Sequence, residues 1–328
     1  MALVSVVVPN YNKGQFIGET IRSVLSQRFT DFEAIIVDDG STDNSVEIAQ
    51  SWAAKDDRVK VFVRDRLPKG GNTCRNIGIQ KSTGQWLMFL DSDDLLMPFC
   101  LQQRMAAVTQ QDETELGIFP TGTFFKHPGD NASVWMPPTG VNYLHKFLSH
   151  DLPWNISSPM WKRETVVNVN GFHEGMNWLQ DVEFHTRILL EQKPRIRLYN
   201  HLPADCCYRI SENRMASGYT GYVTNYVKGQ LVYIREMIRL LERNGASSKR
   251  RYLKGSVLMA VRMPLFSAAM QRIPKHLEKE LLHQVLNDPD AAGLMNTADQ
   301  MIVKIYSMLY HAGIKRGIDR LFKKLIIR

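Results

Sequence analysis

The sequence predicts an α/β fold, a mostly parallel sheet flanked by helices, followed by a mainly helical C-terminal region. Three observations carry that expectation. Short β-branched runs alternate with helical periodicity through the first part of the chain, the pattern of βαβ units. One of those runs, Trp86 to Leu90, ends in the acidic string Asp91-Ser92-Asp93-Asp94. From Tyr222 onward the pattern turns helical, with breaks near Gly245-Ala246-Ser247-Ser248, Pro264, Pro274 and Pro289.

The elements follow in order. Val4 to Pro9 is a β-branched run closed by proline and reads as a buried parallel strand. Asn10 to Gly14 has turn composition. Phe16, Ile17, Ile21, Val24 and Leu25 then recur at helical spacing. Phe32 to Val37 is a second strand, ending in Asp38-Asp39-Gly40, and Asp43 is placed to cap the helix carrying Val46, Ile48, Ala49 and Trp52. Val59 to Val63 is a third strand. Gly70-Gly71 precedes a helix that begins near Asn72 and stops at Gly84. Gly117 to Pro159 is irregular and reads as strands and loops over the active edge. Glu164 to Gly171 and Trp178 to Glu191 read as helices.

In such sheets ligands bind beyond the carboxyl ends of the strands. Pro9-Asn10-Tyr11, Asp38-Asp39 and Asp91 to Asp94 all follow strands, so one edge should gather them. Clustered carboxylates are costly unless neutralised. A hard divalent cation carrying phosphate is the natural neutraliser, because Mg²⁺ takes one or two carboxylates plus phosphate oxygens. The strand end therefore suits a metal-bound nucleotide diphosphate, against the plainer reading of a solvated acidic turn.

Composition sets broader bounds. The 328 residues allow one large domain with an appendage, or two domains. Cys74, Cys100, Cys206 and Cys207 are few and lack zinc spacing, so a reducing compartment is expected, with Cys206-Cys207 a plain strand element. The chain opens on an apolar strand without a basic leader, and no apolar run is long enough to span a bilayer, so neither signal peptide nor membrane span is expected. The net charge of +8 is uneven: from Tyr226 to the end there are 19 Lys/Arg against 8 Asp/Glu.

These motifs together resemble the nucleotide-binding half of the glycosyltransferase family 2 enzymes, which have the GT-A fold. The matching stretches are Val4 to Asn12, Ile35 to Asp43, Arg75-Asn76 with Gly78-Ile79, and Phe89 to Asp94, with a further match over Ser157 to Leu190. The resemblance implies a GT-A catalytic domain over residues 1–221 and a helical, basic region over 222–328. It assigns Pro9, Tyr11, Asp38, Asp39, Arg75 and Asp91 to the nucleotide. Tyr11 would stack on the base, and an acid of the second strand end would accept from base or ribose. Arg75 would reach the diphosphate or base, or simply pair with Asp93. Asp93 would ligate Mg²⁺ or Mn²⁺, with Asp91 on the ribose or on the metal, while Asp94 would cap the next element. Where relatives carry Glu-Asp, this chain has Gln180-Asp181, and the resemblance makes Asp181 the general base, with Glu183 the weaker candidate. Ser211 stands where relatives often have a histidine, which puts metal ligation from that loop in doubt. Arg209 or Arg214 could still neutralise phosphate.

Near the C-terminus Ile314, Ile318, Leu321, Phe322, Leu325 and Ile326 form an apolar stripe among Lys315, Arg316, Arg320, Lys323 and Lys324. Two readings are weighed: a helix lying on an anionic membrane, or one docking on its own protein or a second subunit. The expectation is an inverting, metal-dependent transferase moving a sugar from a uridine or thymidine diphosphate donor to a saccharide or lipid-linked saccharide acceptor. It would work in the cytoplasm or at the inner face of the membrane, in bacterial surface polysaccharide synthesis. No nucleic-acid partner is expected, and a homo-oligomer is left open. The alternatives are a catalytically silent carbohydrate- or lipid-surface-binding protein and a sugar-phosphate nucleotidyltransferase. The latter would want a Gly-rich basic loop after the first strand, which Asn10-Tyr11-Asn12 is not.

Overall fold

The computed structural model describes residues 2–110, 113–131, 133–210, 218–314 and 317–327. In chain order the first elements are β1 (Val4–Asn10), α1 (Ile17–Leu25), β2 (Phe32–Asp38), α2 (Ser45–Ala53), β3 (Val59–Val63), α3 (Gly71–Lys81) and β4 (Trp86–Phe89). Next come β5 (Leu95–Leu96), α4 (Cys100–Thr109), β6 (Leu116–Ile118), β7 (Thr121–Phe124), β8 (Val134–Trp135), α5 (Tyr143–Leu148), β9 (Pro159–Lys162), α6 (Arg163–Val167) and α7 (Gln180–Glu191). The chain continues through β10 (Ile196–Leu198) and β11 (Cys206–Arg209). It then runs through α8 (Tyr219–Arg243), a 3₁₀ stretch (Ser247–Leu253), α9 (Lys254–Ala269), α10 (Lys275–Asn287), α11 (Pro289–Gly293), α12 (Thr297–His311) and α13 (Ile318–Ile326).

The described residues form two compact units. One holds 2–140, 153–175 and 191–210; the other holds 141–152, 176–190 and 218–327. This division differs from a single cut after residue 221, because two internal segments belong with the helical unit and carry Asp181 with them.

In the first unit a seven-stranded sheet has the order β10-β6-β9-β4-β1-β2-β3. β1 pairs in parallel with both β2 and β4, and β2 with β3. β9 alone runs against its neighbours β4 and β6, so the sheet is mixed rather than uniformly parallel. A smaller sheet has the order β5-β11-β7-β8. Every residue of β1 and β2 is buried, as expected of central strands covered on both faces. Ile17, Ile21 and Val24 of α1 pack into the core beneath them. α3 lies directly on β1: a Cβ at Gly78 would sit 2.3 Å from Val7 Cγ1, so glycine sets that approach. The cap expected at Asp43 is corrected. Asn44 is the N-cap of α2, and Asp43 instead accepts from Ser45 N at 3.0 Å and Gly14 N at 2.8 Å, tying the loop after β1 to the helix start. All four cysteines are buried free thiols, with Cys206 and Cys207 in β11.

The second unit is helical. Its core joins Val223, Val227 and Ile234 of α8, Val257 and Val261 of α9, Leu281 of α10 and Tyr306 of α12. The Tyr233 hydroxyl of α8 lies 3.0 Å from the Thr186 hydroxyl of α7 and donates to Phe147 O of α5 at 3.2 Å. Gly229 lets α8 lie against Trp178, whose Cβ would be 2.4 Å from an added Cβ. Part of the C-terminal stripe packs on its own unit. Ile318, Phe322 and Ile326 of α13 are buried in this core, leaving Ile314 and Leu321 exposed. The helix docks on its own unit, so those side chains are not free to enter a bilayer. Among the described residues no helix is long and apolar enough to cross a membrane.

Candidate functional site

The chain leaves β1 toward β2 and β3 on one side, then returns through α3 to place β4 on the other. The strand order therefore reverses between β1 and β4, and open α/β sheets bind ligands beyond the carboxyl ends of the strands at such a switch point. β1 and β2 end in register, Asn10 opposite Asp38. The same edge thus presents Tyr11, Asp38-Asp39 and the string from Asp91 to Asp94.

Asp38 and Asp39 have separate duties. Asp38 is 1% exposed. It accepts from Asn10 Nδ2 and the Ser41 hydroxyl, both at 2.6 Å, and from the backbone N–H groups of Gly40 and Ser41 at 2.9 and 2.7 Å. It folds the turn that carries its neighbour. Asp39 accepts from Arg64 Nε at 2.5 Å and Gly70 N at 3.1 Å, joining β2 to the start of α3. Tyr11 is 43% exposed at the end of β1, with Lys69 Nζ 3.7 Å from its ring centroid. Pro9 is buried within β1, opposite Val37.

Beyond β4, each outer carboxylate faces a cation. Arg75 of α3 donates to Asp91 at 2.8 Å. Asp93 pairs with Lys13 Nζ at 2.5 Å. Lys13 comes from the turn after β1, so this pair spans the switch point. Asp94 is not a cap. It is buried and accepts from Arg209 N at 2.9 Å and the Ser157 hydroxyl at 3.3 Å. Burial, then the charges of Asp91 and Asp93, hold its carboxyl well above the usual range. The first two acids of the string, Asp91 and Asp93, stay partly exposed, while the last, Asp94, anchors it from within.

Arg209 is already engaged. Its Nε donates to Asp93 O at 2.8 Å, its Nη2 pairs with Glu19 at 2.7 Å, and Phe16 and Phe124 lie 4.7 and 4.3 Å from the guanidinium. It shapes the acidic loop rather than presenting an open guanidinium to phosphate. Arg214 and Ser211 lie outside the described residues. Asp181 stands in the first turn of α7, in the helical unit. Glu183 on the same helix is buried and bound to Arg187 at 2.6 Å, which removes it as a rival base.

Several contributors have no signal in the sequence. Lys13 and Arg64 sit in stretches that read only as turn and strand end. Asn76 belongs to a family motif that gives it no role. It donates to Phe172 O at 2.9 Å and Glu174 at 2.8 Å, and accepts from Phe172 N at 2.7 Å. Arg66 closes the same network on Glu174 at 2.5 and 2.6 Å, holding the Glu174 carboxyl below its usual range. This clamp fixes the segment after α6 to α3. Gly171 makes it possible, with φ at +66° and room only for hydrogen beside Asn76 Oδ1.

Among the described residues no cluster of three or more His, Cys, Asp or Glu could close around an ion. Asp91 and Asp93 offer hard oxygens only, with cations already opposite them. That donor set fits a Mg²⁺- or Mn²⁺-type ion that completes its shell with phosphate oxygens and water, not one caged by protein.

Comparisons with known proteins agree with this layout. Residues 5–157 match the family model described as glycosyl transferase family 2. The uncharacterized glycosyltransferase YibD of Escherichia coli strain K12 is 36% identical over 259 residues, 74% of this chain and 72% of that protein. Glycosyltransferase GlyG of Streptococcus pneumoniae serotype 4 is 30% identical over 161 residues, 49% of this chain and 52% of that protein. The chain spans about half the length of several curated relatives it matches. Among solved structures, Staphylococcus aureus TarS 1–349 in complex with UDP-GlcNAc superposes with a TM-score of 0.65 at 17% identity, covering 99% of this chain and 92% of that one. At that identity the likeness is one of fold, a mixed sheet flanked by helices with a mainly helical C-terminal part.

Proposed function

The chain belongs to glycosyltransferase family 2, and from that premise we propose that it transfers a sugar from a uridine or thymidine diphosphate donor to an acceptor hydroxyl. One observation carries the reading. At the switch point between β1 and β4 an exposed aromatic ring, two surface-facing carboxylates and their cations converge from separate strand ends. Tyr11 offers a face for the base. Asp39 follows β2, its N–H bonded to Asn10 O at 2.8 Å, and would be an acceptor for base or ribose. Asp91 and Asp93 would hold Mg²⁺ or Mn²⁺, which when bound stabilises the leaving diphosphate as a Lewis acid. The protein's own cations at the site, Arg75 and Lys13, add charge where the diphosphate departs.

Asp181 is assigned the base by its match to the family motif. Its carboxylate would take the proton of the acceptor hydroxyl as that oxygen attacks the anomeric carbon, with inversion and no covalent intermediate. The acceptor, by the same family argument, is a saccharide or lipid-linked saccharide in surface polysaccharide synthesis. The UDP-GlcNAc complex of TarS, similar in fold, supports a nucleotide-sugar donor by analogy.

Calorimetry with UDP, dTDP and their sugars, in Mn²⁺, Mg²⁺ or EDTA, tests this. Wild type should bind one donor class with metal, and Asp93→Ala should lose the metal-dependent share. Unchanged metal dependence in Asp93→Ala would move the metal elsewhere, and no nucleotide binding by wild type would defeat the reading.

A further inference from the structure

The helical unit contains a cavity of about 1060 Å³ whose wall is rich in cations. Lys146 of α5, Arg262 of α9 and Arg320, Lys323 and Lys324 of α13 line it, against two carboxylates, Asp151 and Asp319. Those carboxylates are committed. Asp151 takes Lys146 at 2.7 Å, with Lys323 at 4.0 Å. Asp319 accepts from Arg262 Nε at 2.7 Å and from the Tyr306 hydroxyl at 2.5 Å. Among the described residues neither Arg320 nor Lys324 has a carboxylate partner, and Lys323 has only the long contact. The histidines of the wall add no charge of either sign near pH 7. His150 is pushed down to about 4, by burial and then by Lys323, and so is neutral near pH 7. The rest of the wall includes Tyr252, Leu258 and Met259, with the Tyr252 ring stacked on His145 at 3.8 Å.

Like charges gathered in a concave, partly desolvated wall are unfavourable, and such a wall concentrates counter-ions. Lys323 records that cost: burial brings its ammonium down to about 8, Asp151 opposing and Lys146 adding to the fall. A phosphate group would offset it, since its oxygens accept several charge-assisted hydrogen bonds at once. A concave pocket of roughly this size that joins a few convergent charges to apolar walls is the usual form of a ligand site.

We infer that this cavity is a second, non-catalytic site for a phosphate-bearing ligand, the phosphate lying against Arg320, Lys323 and Lys324 and a less polar body along Tyr252, Leu258 and Met259. The site lies wholly within the helical unit and stands independently of the donor reading.

Calorimetry of the full chain with sodium pyrophosphate in EDTA, which removes the metal the donor site would need, tests it, with UDP binding measured separately in Mn²⁺. Wild type should show one saturable site. The R320Q/K323Q/K324Q variant should bind at least about tenfold more weakly, the scale expected on losing charge-assisted bonds, while its UDP binding stays unchanged. The single variants R320Q and K324Q replace exposed side chains of α13 and should each weaken pyrophosphate binding, which keeps the test open if the triple variant unfolds. No saturable binding by wild type, or equal binding by the variants, overturns the inference. Flotation with phosphatidylglycerol vesicles then separates the sources. Vesicle binding that pyrophosphate displaces and the triple variant loses assigns the phosphate to a lipid headgroup. Its absence beside a positive titration assigns it to a soluble ligand.

Discussion

Asp205→Ala should strike the catalytic unit harder than any surface change. Arg104 of α4 and Asp205, just before β11, are each 0% exposed. The guanidinium donates through Nη2 to Asp205 Oδ1 at 2.6 Å and through Nε to Oδ2 at 3.0 Å. Nη1 reaches Ser157 O at 2.9 Å, and the Phe119 ring lies 4.8 Å away. Burial works against the charged guanidinium, but Asp205 more than offsets it and holds the pKa above the usual value. Removing the carboxylate leaves a buried cation with two carbonyls (the second, Pro159 O, at 3.5 Å), the Met88 sulfur and a ring, which should cost about 3–5 kcal/mol. That is a large share of the roughly 5–15 kcal/mol of a typical domain. Urea unfolding followed by tryptophan fluorescence is the assay, since Trp154 and Trp161 are fully buried in that unit. The double variant R104M/D205L, which removes both charges, should recover much of the loss. A cost below about 1 kcal/mol for Asp205→Ala would mean that water or another group neutralises Arg104, and the dry-pair argument would fail.

Further expectations concern the base, acid stability and the last helix. Asp181→Asn should keep donor binding while transfer falls at least about 10²-fold; an equally active variant in a radiolabelled-donor assay would clear Asp181 of the role. Glu33 is held at about 2, against an ordinary 4.5, because bonds from Lys60, Ser5 and Thr83 outweigh the opposing effect of burial. A depressed carboxyl stabilises the fold above its unfolded value and loses that contribution as pH falls through the folded one. Acid titration should therefore remove about 2–3 kcal/mol between about pH 4.5 and 2, a slope that Glu33→Gln should flatten. Phe322→Ala should cost the helical unit about 3–5 kcal/mol, read as a lower melting midpoint; an unshifted midpoint would show that α13 does not dock.

Much of the sheet was legible because β1, β2 and β4 are buried apolar runs followed closely by proline or aspartate, and parallel central strands need little else. The site's carboxylates were legible for the same reason, each standing where a strand ends. Their cations were not. Lys13 and Arg64 reach Asp93 and Asp39 across 80 and 25 positions of sequence, and no local pattern encodes such a pairing. The inward turn of Asp94 was hidden too, since it depends on Ser157, in the turn before β9, and Arg209 of β11, both remote in sequence. β9 has only four residues, too few to show a period or a direction. The C-terminal stripe was correctly seen as amphipathic, but a 3.6-residue rhythm says only that one face is apolar, not what covers it.

The ownership of α7 has a consequence for how such a chain can change over time. Its Thr186 meets the Tyr233 hydroxyl of α8, which also reaches Phe147 of α5, so the helix bearing the proposed base is built from the same fabric as the C-terminal helices. Drift or recombination in residues 218–327 would then retune the acid–base chemistry while the nucleotide cradle stayed as it was. Donor preference and acceptor preference would be separately heritable traits of a single polypeptide, and a fragment ending near residue 221 would inherit the first without a folded home for the second.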